Sequence, residues 1–161
     1  MSKETIIKVI GDGSCLFRTL SILLTNSTND KYHKVIRDRI ILYIVKNWSE
    51  FQTMTHDKNG DNYMSPIEYA LEMKDVKCMG GIAEIVAASR IYPFKFVVIR
   101  NGETYVSTTN DDCPLRKILF TGNDLTNGHF DAILNNTDEE STHSYFFSPY
   151  QRIMNNKNAV H

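Results

Sequence analysis

The spacing of apolar residues changes once along this chain, near Phe94, and that change constrains the fold more than any other feature. Before it, apolar side chains recur every three or four residues. Over residues 15–24, Leu16, Phe17, Leu20, Leu23 and Leu24 share one helical face, and over residues 31–48 Tyr32, Val35, Ile36, Ile40, Tyr43 and Ile44 repeat the pattern. Ser65-Pro66-Ile67-Glu68 supplies a helix start, with serine as N-cap, proline at the first helical position and glutamate three residues after the cap. Another helix is expected over residues 81–90. After Phe94 the period shortens to two. Residues 94–100 (FKFVVIR) form a strand, Asn101-Gly102 is a two-residue hairpin signal, and residues 103–107 return as its partner. Residues 117–121 and 129–134 read as further short strands, and residues 5–10 (TIIKVI) as a strand at the front. Helices come first and strands gather later, which predicts an α+β domain with a small, mainly antiparallel sheet flanked by helices.

At 161 residues the chain is expected to be one domain, with a core over about residues 5–135 and a tail over 136–161. The tail is polar apart from Tyr145, Phe146, Phe147 and Tyr150, which pack as a last element or lie on the surface. With 18 basic and 19 acidic side chains the net charge is −1, and nothing suggests a nucleic-acid footprint. The first residues lack a long apolar run, and no stretch is apolar enough for a membrane span. The three cysteines, Cys15, Cys78 and Cys113, are scattered and odd in number, which suits a reducing compartment better than a disulfide framework. The glycosylation sequons at Asn26 and Asn47 are accordingly read as incidental.

Cys15 sits between the glycine-rich turn Gly11-Asp12-Gly13 and a helical run. A thiol is mostly protonated at neutral pH and needs help to act as a nucleophile. At a helix start the unpaired N–H groups and the positive dipole end favour thiolate, and amides nearby can hold a developing oxyanion. A base is available far downstream in Gly128-His129-Phe130-Asp131. On a strand, His129 and Asp131 point to one face and Phe130 to the other, so the carboxylate can fix the imidazole tautomer. Each fragment alone also fits ordinary structural residues, and nothing local says that the two meet.

Together the fragments resemble the OTU (ovarian tumour) family of cysteine deubiquitinases. The resemblance rests on Asp12-Gly13-Ser14-Cys15-Leu16-Phe17-Arg18, on Met79-Gly80-Gly81 leading into a helix and then the strand Phe96-Val97-Val98-Ile99, and on His129-Phe130-Asp131, in that order. It implies Cys15 as nucleophile, His129 as general base and acid, Asp131 as the residue orienting it, and Asp12 as support for an oxyanion hole that uses the Cys15 amide. It further implies a papain-like fold, no metal and no organic cofactor. The implied partners are ubiquitin, a ubiquitin-like modifier or polyubiquitin chains, cut after the C-terminal Gly-Gly, usually at an isopeptide bond to lysine. Gly13, Ser14, Gly80 and Gly81 are the expected substrate-binding residues, lining a channel narrow enough to select glycine. Met79 departs from the tryptophan usual in the family and is expected to alter a wall near the site. A monomer in the cytoplasm is expected, in host cytosol if the compact, Asn-, Ile- and Lys-rich chain comes from a virus or intracellular microbe.

Two alternatives of other kinds are a domain that binds ubiquitin without cutting it and a protease for another ubiquitin-like modifier. Two decoys also arise. Residues 57–68 place oxygen side chains like an EF-hand loop, but position six, which needs glycine, holds Asn62. Zinc is disfavoured because the cysteines lack paired spacing and His33, His56, His143 and His161 form no cluster. The acidic run Asp138-Glu139-Glu140 is read first as a solvated loop and second as a contact for the basic ubiquitin tail.

Overall fold

A computed structural model describes residues 3–124 and 127–135. The tail over 136–161, with its aromatic residues, His143, His161 and the acidic run at 138–140, lies outside the described residues. Five helices and five strands follow in the order β1 (Glu4–Ile7), α1 (Cys15–Thr25), α2 (His33–Lys46), α3 (Trp48–Phe51), α4 (Pro66–Met73), α5 (Ile82–Ile91), β2 (Lys95–Arg100), β3 (Glu103–Ser107), β4 (Leu115–Gly122) and β5 (Gly128–Asn135), with a 3-10 turn at Gln52–Met54. This is the mixed helix and sheet architecture expected from the change of period.

The strands form one sheet in the order β1-β5-β4-β2-β3. Three of its pairings are antiparallel, and β2 pairs with β4 in parallel. Local chemistry sets the hairpin between β2 and β3: Asn101 and Gly102 both take positive φ, 52° and 77°, the signature of a type I′ turn. The Ser65 hydroxyl accepts from the Glu68 N–H at 3.1 Å and starts α4 as the cap motif predicts.

The core lies between α1 and the inward face of the sheet, where Phe96, Val98, Ile118, Phe120, Phe130 and Ala132 are all buried. Along β2 and β4 those side chains alternate with less buried ones, as a half-buried strand requires. Phe120 and Phe130 pack with ring centroids 5.0 Å apart. Fully burying one such ring contributes up to about 3 kcal/mol.

The one-sided face read from the sequence understates α1. Nine of its eleven residues are buried, including Thr19, Ser21 and Ile22, because the sheet covers one flank and α2 the other. The first strand is also shorter than residues 5–10 suggest. It leaves the ladder after Ile7, and the Val9 N–H instead donates to the Asp131 side chain at 2.9 Å. That departure steers the chain toward the turn before Cys15. Among the described residues no helix is long and apolar enough to cross a membrane.

Candidate active site

The strand β5 carries His129 and Asp131 two residues apart, and the side chains meet as the period of two requires. The His129 Nε2–H donates to Asp131 Oδ1 at 2.9 Å, and Phe130, on the other side, is wholly buried in the core. The same Asp131 oxygen accepts from Val9, so one buried carboxylate ties the histidine strand to the segment entering the cysteine turn. With Nε2 engaged, Nδ1 is the nitrogen left for proton exchange. It faces Gly11: a Cβ built there would lie 3.5 Å from Nδ1.

Cys15 opens α1, which packs against β5. Its sulfur is reached by the backbone N–H of Phe130, the residue after His129. The two ends of the chain therefore converge. Cys15 is 3% exposed, and burial pushes its thiol above the ordinary value. The amides of Phe130, Leu16 and Cys15 itself pull the other way without prevailing, and the Asp12 carboxylate adds a further upward push. The helix start does supply amides to the sulfur as the sequence suggests, but burial outweighs their pull toward thiolate on Cys15.

The turn ahead of the cysteine is rigidly built. Asp12 accepts from the Ser14 N–H at 3.1 Å and pairs with Arg18 on α1 at 2.8 Å, which holds the Asp12 carboxyl below its usual range. Arg18 also pairs with Asp30 at 3.1 Å. Gly13 has φ +87°, and a Cβ there would sit 2.2 Å from the Lys77 carbonyl oxygen. Ser14 is buried, and its hydroxyl donates to the Val76 carbonyl at 2.8 Å. The Ser14 side chain thus faces the protein, its N–H is taken by Asp12 and its carbonyl by the Arg18 N–H at 2.9 Å, so the expected substrate-binding role of Ser14 gives way to a structural one.

Gly80 is likewise needed by the protein's own packing, since a Cβ would meet Leu16 at 2.8 Å and Phe17 at 3.1 Å. The Gly81 N–H donates to Glu84 at 2.9 Å and starts α5. Met79, Gly80 and Gly81 line a cleft of about 750 Å³ together with Leu71, Tyr105 and Asp124. Sequence reasoning missed Arg37 on α2. It is 2% exposed and donates to backbone on both sides of the cysteine turn.

The remaining candidates serve the scaffold. In the loop suspected of calcium binding, Asp57 accepts from the Asn59 and Asp61 amides. Asn62 there donates to the Gln52, Thr53 and Thr55 carbonyls, which explains an asparagine where an EF-hand has glycine. Cys78 and Cys113 are half-buried free thiols, and the Cys78 sulfur lies 3.4 Å from that of Met73.

Comparison with known proteins follows the same lines. Residues 10–120 match the family model described as OTU-like cysteine protease, a span that includes Cys15 and stops short of β5. The chain is 34% identical over 97 residues to the ovarian tumour domain-containing deubiquitinating enzyme 7 of Arabidopsis thaliana. That alignment covers 60% of this chain and 24% of the plant protein, so the chain spans about a quarter of that relative. In fold it is similar to the OTUD1 OTU domain, with a TM-score of 0.65 at 18% identity, covering 81% of this chain and 85% of that one. An ovarian tumour domain in complex with ubiquitin gives 0.62 at 19% identity over 83% and 71% of the two chains. The Hazara virus OTU bound to ubiquitin gives 0.60 at 18% identity over 84% and 86%.

Proposed function

The chain belongs to the OTU-like cysteine protease family, and from that premise we propose that it is a deubiquitinase. As a single catalytic domain acting in the cytoplasm, it hydrolyses the bond after the C-terminal Gly-Gly of ubiquitin. The observation that carries this reading is the convergence on β5: the Phe130 amide rests on the Cys15 sulfur while the adjacent His129 is held by Asp131. The deubiquitinating relative from Arabidopsis and the ubiquitin-bound solved structures support the choice of substrate.

His129 Nδ1 takes the Cys15 proton as the sulfur attacks the terminal glycine carbonyl. The imidazolium that forms is stabilised by the Asp131 carboxylate through the Nε2–H bond. The Cys15 amide, in a turn shaped by Asp12, holds the oxyanion of the tetrahedral intermediate. As the C–N bond breaks, His129 returns the proton to the leaving lysine amine, and a thioester remains. His129 then draws a proton from water, whose oxygen attacks the thioester carbonyl. The C–S bond breaks, ubiquitin leaves with a free carboxylate, and the thiol is restored. Backbone at Gly80 and Gly81, in the cleft beside Met79, lines the passage for the substrate's last two glycines.

The test uses ubiquitin with a C-terminal fluorogenic leaving group and ubiquitin with a C-terminal electrophile. The protein releases the fluorophore, and the electrophile is captured at Cys15 and nowhere else. Cys15→Ala loses both while its thermal unfolding is unchanged. Full turnover by Cys15→Ala, or reversible binding of the probe without capture, overturns the proposal and favours a ubiquitin-binding module.

A further inference from the structure

Among the described residues, Arg37 is a buried cation with no carboxylate among its hydrogen-bond partners. Its Nη1 donates to the Met73 carbonyl at 2.9 Å. Its Nη2 donates to the Gly13 carbonyl at 3.2 Å, the Val76 carbonyl at 3.1 Å and the Ser14 hydroxyl at 3.3 Å. The guanidinium carbon stacks over the Phe17 ring, 4.1 Å from its centre. Burying a charge against neutral groups is expensive, and here burial dominates in lowering the Arg37 pKa. A side chain used only to fill the space beneath α1 would be apolar. The planar fork instead joins two separate backbone segments, at Gly13–Ser14 and at Met73–Val76, a task that a point-charge ammonium performs poorly.

The partners lie where the reaction needs rigidity. The Gly13 carbonyl and the Ser14 N–H belong to one peptide unit. Arg37 holds its oxygen from inside, and Asp12 holds its N–H from the other side at 3.1 Å. In the next unit, the Ser14 carbonyl accepts from the Arg18 N–H at 2.9 Å as the first bond of α1. The remaining group of that unit is the Cys15 N–H, the donor assigned to the oxyanion. Arg37 thus fixes the plane immediately before the one that carries this donor. Through Val76 and Met73 it fixes the segment leading to Met79 and Gly80 as well.

We propose that Arg37 is a positioning residue for hydrolysis: it sets the orientation of the Cys15 amide without touching substrate. The proposal rests on the deubiquitinase reading above. Its consequence is specific to steps that develop an oxyanion. Alkylation of the Cys15 sulfur by iodoacetamide develops none, whereas hydrolysis of a ubiquitin reporter does.

The test compares wild type, Arg37→Lys and Ser14→Ala, each by thermal unfolding, iodoacetamide labelling of the Cys15 peptide read by mass spectrometry, and steady-state hydrolysis of the fluorogenic ubiquitin reporter. Arg37→Lys keeps the charge and loses the fork. It should label Cys15 within about threefold of wild type and keep KM within about threefold, while kcat falls about 100-fold, the scale of one oxyanion donor. Ser14→Ala removes one strut and leaves Arg37, so kcat should fall about tenfold, with labelling unchanged. If Arg37→Lys does not fold, Ser14→Ala decides alone, and wild-type kcat in that variant refutes the positioning role. A folded Arg37→Lys with wild-type kcat, a loss confined to KM, or labelling that falls in step with kcat refutes the positioning role. A wild-type protein that neither hydrolyses the reporter nor captures the ubiquitin probe refutes the functional reading, and the role of Arg37 falls with it.

Discussion

Gly13 and Gly60 form a matched pair on which the rigidity of the cysteine turn can be measured. Their φ angles are nearly equal, +87° and +83°, so an alanine at either meets the same backbone penalty, about 1 kcal/mol. Their surroundings differ completely. A Cβ on Gly60 meets nothing within 4 Å, whereas one on Gly13 would lie 2.2 Å from Lys77 O and 2.6 Å from Lys77 Cα. Real Cβ contacts stay beyond 3.0 Å, so the two backbones must separate by about 0.8 Å. No rotamer change relieves this, because both parties are main chain. Separation works against the Ser14 hydroxyl bond to Val76 and against Arg37, which bridges Gly13 and Val76. Losing two or three such bonds costs about 1 kcal/mol each, slightly more where the guanidinium takes part.

Gly13→Ala should therefore destabilise the fold by about 3 to 5 kcal/mol and Gly60→Ala by about 1. Urea unfolding reports both through the single tryptophan, Trp48, which packs 5.6 Å from the Tyr69 ring in the core. The folded fraction of Gly13→Ala should also turn over about 100-fold more slowly, because a displacement near 1 Å misaligns the reacting groups. Equal destabilisation by the two variants would refute the reasoning, since it would mean that the turn yields to Lys77 at no cost.

Three further outcomes follow from the site. Asp131→Asn keeps an oxygen that can accept from both the Val9 N–H and the His129 Nε2–H but removes the negative charge that stabilises the imidazolium. Turnover should drop at least about 100-fold with little change in urea midpoint, whereas Asp131→Ala loses both, and a stable, active Asp131→Asn argues against the role of that charge. Because burial raises the Cys15 thiol, iodoacetamide labelling of the resting enzyme should rise with pH to a midpoint above the ordinary value near 8.5; a midpoint below it contradicts a buried neutral thiol. Burial likewise raises the Glu84 carboxyl, so its contribution to stability is complete below the unfolded value near 4.3 and is lost as pH rises through the higher folded value. Glu84→Gln should consequently gain stability relative to wild type between pH 4 and pH 7 in paired urea titrations, and a gap that shrinks with rising pH contradicts this.

How much of this was readable beforehand depends on the range of the interaction. The Asn101-Gly102 turn, the Ser65 cap and the shared face of His129 and Asp131 follow from neighbours within a few residues, and each stands where the sequence places it. The parallel pairing of β2 with β4 does not, because it forms only after the β3 hairpin returns the chain to the start of β2. Arg37 was invisible for a related reason. A polar residue within an amphipathic helix reads as solvated, and its burial is decided by carbonyls at residues 13, 73 and 76 that no local pattern can announce. The Cys15 thiol illustrates competition between two legible effects. The helix start was plain, but the magnitude of burial was not, and burial wins.

The sheet order has a consequence for how such a protein comes into being. Its first strand pairs with its last described one, and the Asp131 side chain closes the join at Val9. During synthesis the Cys15 thiol is translated more than a hundred residues before His129, the base assigned to it in the proposed mechanism. A message cut short anywhere between yields a polypeptide with a sulfur and no partner for it. On the proposed mechanism a product truncated before β5 should be inert toward a ubiquitin reporter.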